Sequence, residues 1–341
     1  MKKKSLLNVI ATKCRCRTGV AAGAGWVAAG LAALFLSFGA MAAGYPNKTI
    51  RLIVPFSPGG STDTIGRLVA GQLSKQLGQP VIVENRPGGG TVIGMQTVLR
   101  ADPDGYTLLL GSVSTASAPA LHPKMGFEPD KVFTPITILA RGAYVLGVNP
   151  SFPAHSVKEL IAYAKAHPGK VNFASAGVGS TTHLAAELFK DSANINIVHV
   201  PYKGAGPAVI AVISGQVPML FGGITEMLPQ IKAGKLRGLA VTSAKRSSLA
   251  PNLPTMEEAG LPGYDVTGWY ALLVRSETPK AVVAKLYDAT KKALQAPSVL
   301  KQLAHHGVEV GGDTPDAAAH FFKSEVTRWG TVIRKAGIKT D

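Results

Sequence analysis

Two glycine-rich turns of this 341-residue chain carry the residues best suited to binding an anion. The first reads Pro55-Phe-Ser-Pro-Gly-Gly60 and leads into Ser61-Thr-Asp63, and the second reads Ala176-Gly-Val-Gly179 and leads into Ser180-Thr181. Each follows a short apolar run and precedes residues at helical spacing, so each is expected to join a strand to a helix. The first N–H groups of a helix lack intrahelical acceptors and lie at the positive end of its dipole. Such a turn can bind a carboxylate or a phosphate, although an ordinary strand-to-helix turn of a parallel sheet shows the same pattern.

Side chains in the first turn should begin the helix that follows. Ser61, Thr62 or Asp63 is the expected N-cap, with Ser180 or Thr181 in the same role in the second turn. The charge of Asp63 would repel a carboxylate, so we expect it to cap its own helix or to meet a ligand amino group. His183 falls in the first turn of the second helix, where the dipole disfavours a charged imidazole, and it either binds a ligand or is satisfied by backbone groups.

Two further loops follow strands in the same way. Gly111-Ser-Val-Ser-Thr115 is small and hydroxylic, and its Ser112 could offer a hydrogen bond at the end of a strand, although a plain polar loop would look alike. Pro201-Tyr-Lys-Gly-Ala-Gly206 repeats the glycine-rich pattern, and Pro207 suits a first helical position. Lys203 in this loop could meet an acidic group or simply be solvated.

Other site chemistries fit the sequence poorly. Gly88-Gly-Gly90 has the wrong spacing to Gly94 for a dinucleotide fingerprint, and the chain contains neither a P-loop nor a G-x-S-x-G elbow. His183 and Glu187 have the i, i+4 spacing of metal ligands, but no third ligand is apparent, so no metal and no cofactor are expected.

The first 42 residues have the composition of a secretory signal peptide. Six basic residues precede an uncharged run from Val20 to Phe38, and Ala40-Met-Ala42 supplies a cleavage pattern, although an uncleaved membrane anchor is the alternative. Removal would leave 30 basic and 20 acidic residues, a formal charge of +10, and would remove both cysteines. The positive charge is dispersed, so a small anion is a better partner than a nucleic acid. The expected location is the periplasm.

Strands alternate with helices along the rest of the chain, which predicts an α/β protein with largely parallel sheets. Strands are expected at Ile50–Val54 and Val171–Ser175, and a long extended run at Phe133–Asn149. Pro and Gly punctuation after that run indicates a crossing into a second lobe, and Trp269–Val274 could return the chain to the first.

Eight motifs, in order along nearly the whole chain after residue 42, resemble the extracytoplasmic solute receptors of tripartite tricarboxylate transporters, the Bug/TctC family. They are Pro55-Phe-Ser-Pro-Gly-Gly-Ser-Thr-Asp63 with Arg67, Val83-Glu-Asn-Arg-Pro-Gly-Gly89, Asp104-Gly-Tyr-Thr-Leu108, Ser175-Ala-Gly-Val-Gly-Ser-Thr-Thr-His183, Val200-Pro-Tyr-Lys-Gly204, Ile231-Lys-Ala-Gly-Lys-Leu-Arg237, Pro254-Thr-Met-Glu-Glu-Ala-Gly-Leu-Pro262 and Ala336-Gly-Ile-Lys-Thr-Asp341.

The resemblance implies a two-lobed, type II-like periplasmic binding protein that closes on a small carboxylate held mainly by backbone groups. We expect lobe 1 to comprise residues 43–145 and 268–341, and lobe 2 to comprise residues 146–267. The expected partners are the ligand (a di- or tricarboxylate, an aromatic acid or an acidic amino acid) and the subunits of an inner-membrane transporter or a sensor, with a monomeric receptor. The alternative is a secreted α/β hydrolase-like enzyme acting on a small anion. The residues expected to contact the ligand are Phe56, Ser57, Pro58, Gly59, Gly60, Ser61, Thr62, Asp63, Ser112, Gly177, Val178, Gly179, Ser180, Thr181, His183, Tyr202, Lys203 and Gly204.

Overall fold

A computed structural model of the chain describes residues 44–202 and 204–338. The predicted signal peptide, Lys203 and the last three residues lie outside these ranges. Every element below belongs to one compact unit, Pro46–Asp341. Within the described ranges, no helix has both the length and the apolar character needed to cross a bilayer.

The strands are β1 (Ile50–Val54), β2 (Val81–Asn85), β3 (Thr107–Ser112), β4 (Phe133–Val148), β5 (Val171–Ser175), β6 (Ile197–Pro201), β7 (Met219–Gly223), β8 (Arg237–Val241), β9 (Thr267–Arg275) and β10 (Val308–Val310). The helices are α1 (Ser61–Leu77), α2 (Val92–Leu99), α3 (Val113–Leu121), α4 (Pro129–Val132), α5 (Val157–Ala166), α6 (Thr181–Ala193), α7 (Ala205–Ile213), α8 (Ile224–Lys232), α9 (Lys280–Leu294), α10 (Pro297–His305) and α11 (Pro315–Ala336). A short 3-10 turn, Gly89–Thr91, precedes α2.

The strands form one continuous sheet in the order β2-β1-β3-β9-β4-β7-β5-β6, with β8 and β10 paired to β4. Its outer parts are parallel, since β1 pairs with β2 and β3, and β5 pairs with β6 and β7. Between them, β4 and β9 run antiparallel to their neighbours. The prediction of largely parallel sheets therefore holds for the outer strands and is wrong for the two central ones.

The long strand β4 links the two halves of the sheet. Its residues up to Ala143 pair with β9, and those from Tyr144 onward pair with β7, with β8 on the same stretch. A second link lies beside it, because Thr242 accepts the Val266 amide and donates its own amide to Tyr144. This exchange lies next to the predicted lobe boundaries at 145/146 and 267/268, which stay a prediction.

The loop expected at Gly111–Thr115 is instead the end of β3 and the start of a helix. Ser112 precedes α3, and the Thr115 hydroxyl accepts the Ser112 amide at 3.2 Å. The residues that follow are small and buried, which lets α3 pack closely against α11. Their small polar composition resembled a loop because burial cannot be inferred from composition alone.

Helix α11 packs against the central strands of the sheet and holds Trp269 of β9 in place. Glu325 is buried on this helix, and its Oε2 accepts the indole N–H of Trp269 at 2.7 Å and that of Trp329 at 2.9 Å. Arg328 binds the other carboxylate oxygen at 3.1 Å. Buried polar groups are stable only when they are paired, so this network locks the position of Trp269 on β9.

Candidate functional site

A cavity of about 820 Å³ lies where the two halves of the sheet meet. Its wall is formed by turns at the carboxyl ends of β1, β3, β5 and β7, by the loop after β6 and by residues of β4 and β9. Ligands in α/β sheets bind outside the carboxyl ends of the strands, and this volume is typical of a small-molecule site.

In the first glycine-rich turn, one backbone N–H already has a hydrogen-bond acceptor within the turn. The Gly59 N–H donates to Asp63 Oδ2 at 3.0 Å, and Gly59 has a φ of +89°, which favours glycine. The N-cap of α1 is Gly60, so the expectation of a Ser61, Thr62 or Asp63 cap is wrong. Asp63 instead sits inside the first turn and folds back onto the amide ahead of the helix.

Asp63 is buried behind this turn and faces its own neighbours. Its carboxylate accepts from Arg67 Nε at 3.0 Å and from Asn85 Nδ2 at 2.9 Å, in addition to Gly59. Burial by itself would raise the pKa of Asp63, but these three hydrogen bonds lower it overall. The side chain is therefore an ionised support for the turn and not the helix cap that was predicted.

The second glycine-rich turn is built on the same plan. The Gly179 N–H donates to Nδ1 of His183, four residues on, at 3.1 Å. Gly179 has a φ of +75°, a backbone conformation in which any residue with a Cβ would be strained. Ser180 is the N-cap of α6, as predicted, and accepts the His183 amide.

His183 is buried in a stack of rings beneath this turn. Its ring lies 3.9 Å from that of His199, which in turn stacks on Phe173. Because Nδ1 accepts the Gly179 amide, Nε2 carries the proton and points toward Glu187, 3.7 Å away. Burial lowers the pKa of His199 to about 4, so its imidazole stays neutral at ordinary pH.

These internal bonds determine which amides remain for a ligand. The Gly59 and Gly179 N–H groups are used by Asp63 and His183, so they are not the ligand-binding groups that the glycine pattern suggested. The first two residues of α1 and of α6, whose N–H groups have no intrahelical acceptor, do line the cavity. They are Ser61, Thr62, Thr181 and Thr182.

Five helix N-termini meet at the cavity wall. The residues of α1, α6, α7 and α8 nearest their starts line it, and so does Ser112, which precedes α3. Each N-terminus carries a partial positive charge of roughly half a unit. Among the described residues of the wall there is no lysine or arginine, so the positive electrostatic potential there comes from the dipoles of the helices.

Ser112 offers a free O–H to the cavity. It is only 6 % exposed, and its Oγ accepts the Thr115 N–H in the capping box that starts α3, while no acceptor for its O–H is found among the described residues. A buried O–H without an acceptor costs free energy, so a ligand that accepts this hydrogen bond would recover that cost.

A polar cluster crosses the cavity from one half of the sheet to the other. Ser61 Oγ on α1 donates to Glu226 Oε1 on α8 at 2.8 Å and also pairs with the Tyr270 phenol. The hydroxyl of Thr181 pairs with Tyr144, and burial raises the pKa of Tyr144 to about 12. Burial likewise raises the pKa of Glu226.

Most predicted site residues lie on the cavity wall. Those that line it are Phe56, Ser57, Pro58, Gly59, Gly60, Ser61, Thr62, Ser112, Val178, Gly179, Ser180, Thr181 and Gly204. Four others are not part of the wall, namely Asp63, Gly177, His183 and Tyr202. Lys203 lies outside the described residues.

Several wall residues were missed by sequence reasoning. Tyr144 belongs to the strand that was predicted only as a long extended run, and Trp269 and Tyr270 belong to the one interpreted only as a return to the first lobe. Glu226 follows Gly222-Gly223 at the end of β7, which is the strand–glycine–helix pattern once more and could have identified it.

A family model described as "Tripartite tricarboxylate transporter family receptor" matches residues 65–338. The periplasmic binding protein BugD is 35% identical, covers 87% of this chain and 100% of its own, and superposes with a TM-score of 0.78.

Two similar solved structures contain a ligand. An R. palustris protein with adipate is 35% identical, with a TM-score of 0.80 over 87% of this chain and 100% of its own. MatC from Rhodopseudomonas palustris with bound malate is 34% identical, with a TM-score of 0.78 over 85% of this chain and 100% of its own.

Proposed function

The chain belongs to the tripartite tricarboxylate transporter receptor family and is a two-lobed periplasmic solute-binding protein, and we propose that it captures a small carboxylate and delivers it to a membrane transporter of that type or to a sensor. One observation carries the proposal of a carboxylate: five helix N-termini converge on a cavity whose described wall contains no lysine or arginine. A negatively charged group is the ligand that such an arrangement stabilises.

The amides of Ser61, Thr62, Thr181 and Thr182 would hold the carboxylate, with the free Ser112 hydroxyl as an additional donor. Hydrogen bonds to an ionised group contribute about 1.5–3 kcal/mol each, more than neutral ones, and they strengthen where water is excluded. No fixed cation has to be desolvated for this binding. The adipate and malate of the two relatives support the choice of a carboxylate.

Closure of the two lobes would complete the site. Ser61 on one side and Glu226 on the other are already joined by a hydrogen bond across the cavity, as in a closed form. In the open form the two sets of helix N-termini would separate, and neither set alone would surround the ligand. A monomer suffices for this mechanism, because both sets belong to one chain.

An enzyme is the weaker alternative. The nearest approach to a nucleophile and base is Ser175 Oγ to His199 Nε2, 2.6 Å apart. Ser175 is fully buried, its hydroxyl also bonds the Gly177 backbone, and it is not part of the cavity wall. This pair supports the turn and does not face a substrate.

The proposal is tested by differential scanning fluorimetry and calorimetry of the chain from residue 43 onward with a panel of carboxylates and their uncharged esters and amides. We expect saturable stabilisation by at least one carboxylate, without turnover; a ligand at 100 times its Kd adds about 2.7 kcal/mol to stability. Equal stabilisation by esters without a free carboxylate, or release of product, would contradict the proposal.

A further inference from the structure

Glu226 is the one acidic side chain on the described cavity wall. It stands among helix N-termini that favour negative ligands, and it is half-buried at the junction of the two lobes. A fixed negative charge at this position works against a purely anionic ligand, because like charges repel strongly where water is excluded.

The contacts of Glu226 leave acceptor capacity for a ligand. Its carboxylate accepts the Ser61 hydroxyl at 2.8 Å and the Gly223 N–H at the start of α8. The Gly223 contact alone would be an ordinary helix-start feature. An ionised carboxylate has about four lone-pair positions, however, so two bonds leave it under-satisfied in a partly buried site.

The surroundings of Glu226 contain no described cation that would neutralise it within the cavity. The Tyr144 and Tyr270 phenols lie close enough for its charge to raise their pKa values, with burial as the larger cause. His306 shares the wall, and burial lowers the pKa of its imidazole. Lys235 shares a separate surface groove with Glu226 and is not part of the cavity wall.

We propose that Glu226 makes this receptor select ligands that combine a carboxylate with an N–H or O–H donor at a second polar end, over simple dicarboxylates. The inference rests on the proposed function and narrows its ligand class. A donor on the ligand would form a charge-assisted hydrogen bond with Glu226, whereas a second carboxylate would be brought against it. Monoamides, hydroxy acids and amino acids meet this requirement.

The test uses pairs of equal length and shape, in which only one end changes: succinate and succinamate, glutarate and glutaramate, adipate and adipamate. Affinities are measured by calorimetry for the wild-type chain from residue 43, for Glu226→Gln and for Glu257→Gln. Glu257 is exposed on the surface and is the matched control for loss of one negative charge. The ligand-free Tm of each variant shows that it is folded.

We expect wild-type protein to bind at least one monoamide about tenfold or more tightly than its dicarboxylate, which corresponds to about 1.4 kcal/mol. Glu226→Gln should reduce that ratio to about one or reverse it, because a neutral amide no longer repels the second carboxylate. Glu257→Gln should keep the wild-type ratio.

A pH series provides a second readout. Burial raises the pKa of Glu226, so the dicarboxylate affinity of the wild type should rise as the pH is lowered and a protonated Glu226 becomes a donor. His306 also titrates in this environment, so the part of the rise that is absent from Glu226→Gln is the part assigned to Glu226.

Two outcomes overturn the inference in different ways. If wild-type protein binds each dicarboxylate as tightly as its monoamide, and Glu226→Gln changes none of the three affinity ratios, then Glu226 does not select the ligand, while carboxylate capture stands. If no carboxylate of any pair, or of the wider panel, binds the folded wild type, the proposed function itself is wrong and the inference falls with it.

Discussion

The contribution of a single backbone amide can be measured by Thr181→Pro. Thr181 is the first residue of α6 and lines the cavity, so its N–H has no intrahelical acceptor. Proline removes this N–H and is well tolerated at a first helical position. The preceding residue, Ser180, has φ −66° and ψ 156°, an extended conformation that a following proline requires. The fold should therefore survive.

The expected loss follows from the chemistry of the bond. A hydrogen bond to a charged group contributes about 1.5–3 kcal/mol, so Thr181→Pro should raise the Kd for a bound carboxylate by about 10- to 150-fold. Thr181→Val is the matched control, because it keeps the amide and removes only the hydroxyl that pairs with Tyr144. Lys280→Pro is the control for a proline at a first helical position, because Lys280 is exposed at the start of α9 and is not part of the cavity wall.

Calorimetry with a carboxylate that stabilises the wild type gives the Kd values of the wild type and the three variants, and thermal unfolding confirms that each variant is folded. The amide effect is the ratio between Thr181→Pro and Thr181→Val. Wild-type affinity in Thr181→Pro, or an equal loss in both Thr181 variants, would refute the reasoning that α6 binds the ligand through its free N–H groups.

Three further predictions concern stability, measured by urea unfolding. Asp63→Ala should lower the free energy of unfolding by about 1–3 kcal/mol. Because the pKa of Asp63 is lowered in the folded state, its contribution to stability is present above about pH 3.9 and is lost as the pH falls through the folded-state pKa. The free energy of unfolding of the variant should therefore depend less on pH in the acid range than that of the wild type. An unchanged dependence on pH would argue against this role. The pKa of His199 is lowered to about 4, so the wild type should lose about 1–2 kcal/mol of stability, after allowance for the half exposure of this side chain, as the pH falls from about 6.5 to about 4. His199→Gln should remove this loss. A wild-type free energy of unfolding that does not change over this pH range would contradict the assignment. Glu325→Leu should lower the free energy of unfolding by about 2–4 kcal/mol, because two buried indole N–H groups and Arg328 lose their acceptor. The control Glu309→Gln, at an exposed position, should change it by no more than about 0.5 kcal/mol. Equal effects of the two substitutions would show that the network does not stabilise the fold.

Local chemistry made much of the fold predictable. The strands at Ile50–Val54 and Val171–Ser175 have the predicted bounds, because their apolar residues and the turns that follow them are local signals. The start of α1 was predicted one to three residues too late, since Gly60 takes the cap position and Asp63 folds back from inside the first turn.

The details of the site could not be predicted in the same way. Asp63 and His183 each bond a glycine amide four residues earlier, and this removes from the cavity the two amides that the glycine pattern indicated. The choice between a side chain facing the ligand and one facing its own turn depends on which neighbours surround it after folding. Linear spacing does not contain that information.

By itself, the amino-acid sequence determined that strands would be followed by glycine-bordered helix starts, that these helix starts could bind an anion, and that a receptor family shares the pattern. Only the tertiary structure decided which of those helix starts meet, since β4 and β9 carry the chain between two sheet halves and bring together residues more than a hundred positions apart. It also placed Glu226 against Ser61, 165 residues away, with Tyr144 and Tyr270 beside them. Long-range pairing sets these contacts, because the free energy of burying a charge depends on the whole cavity around it and not on the residues next to it in the chain.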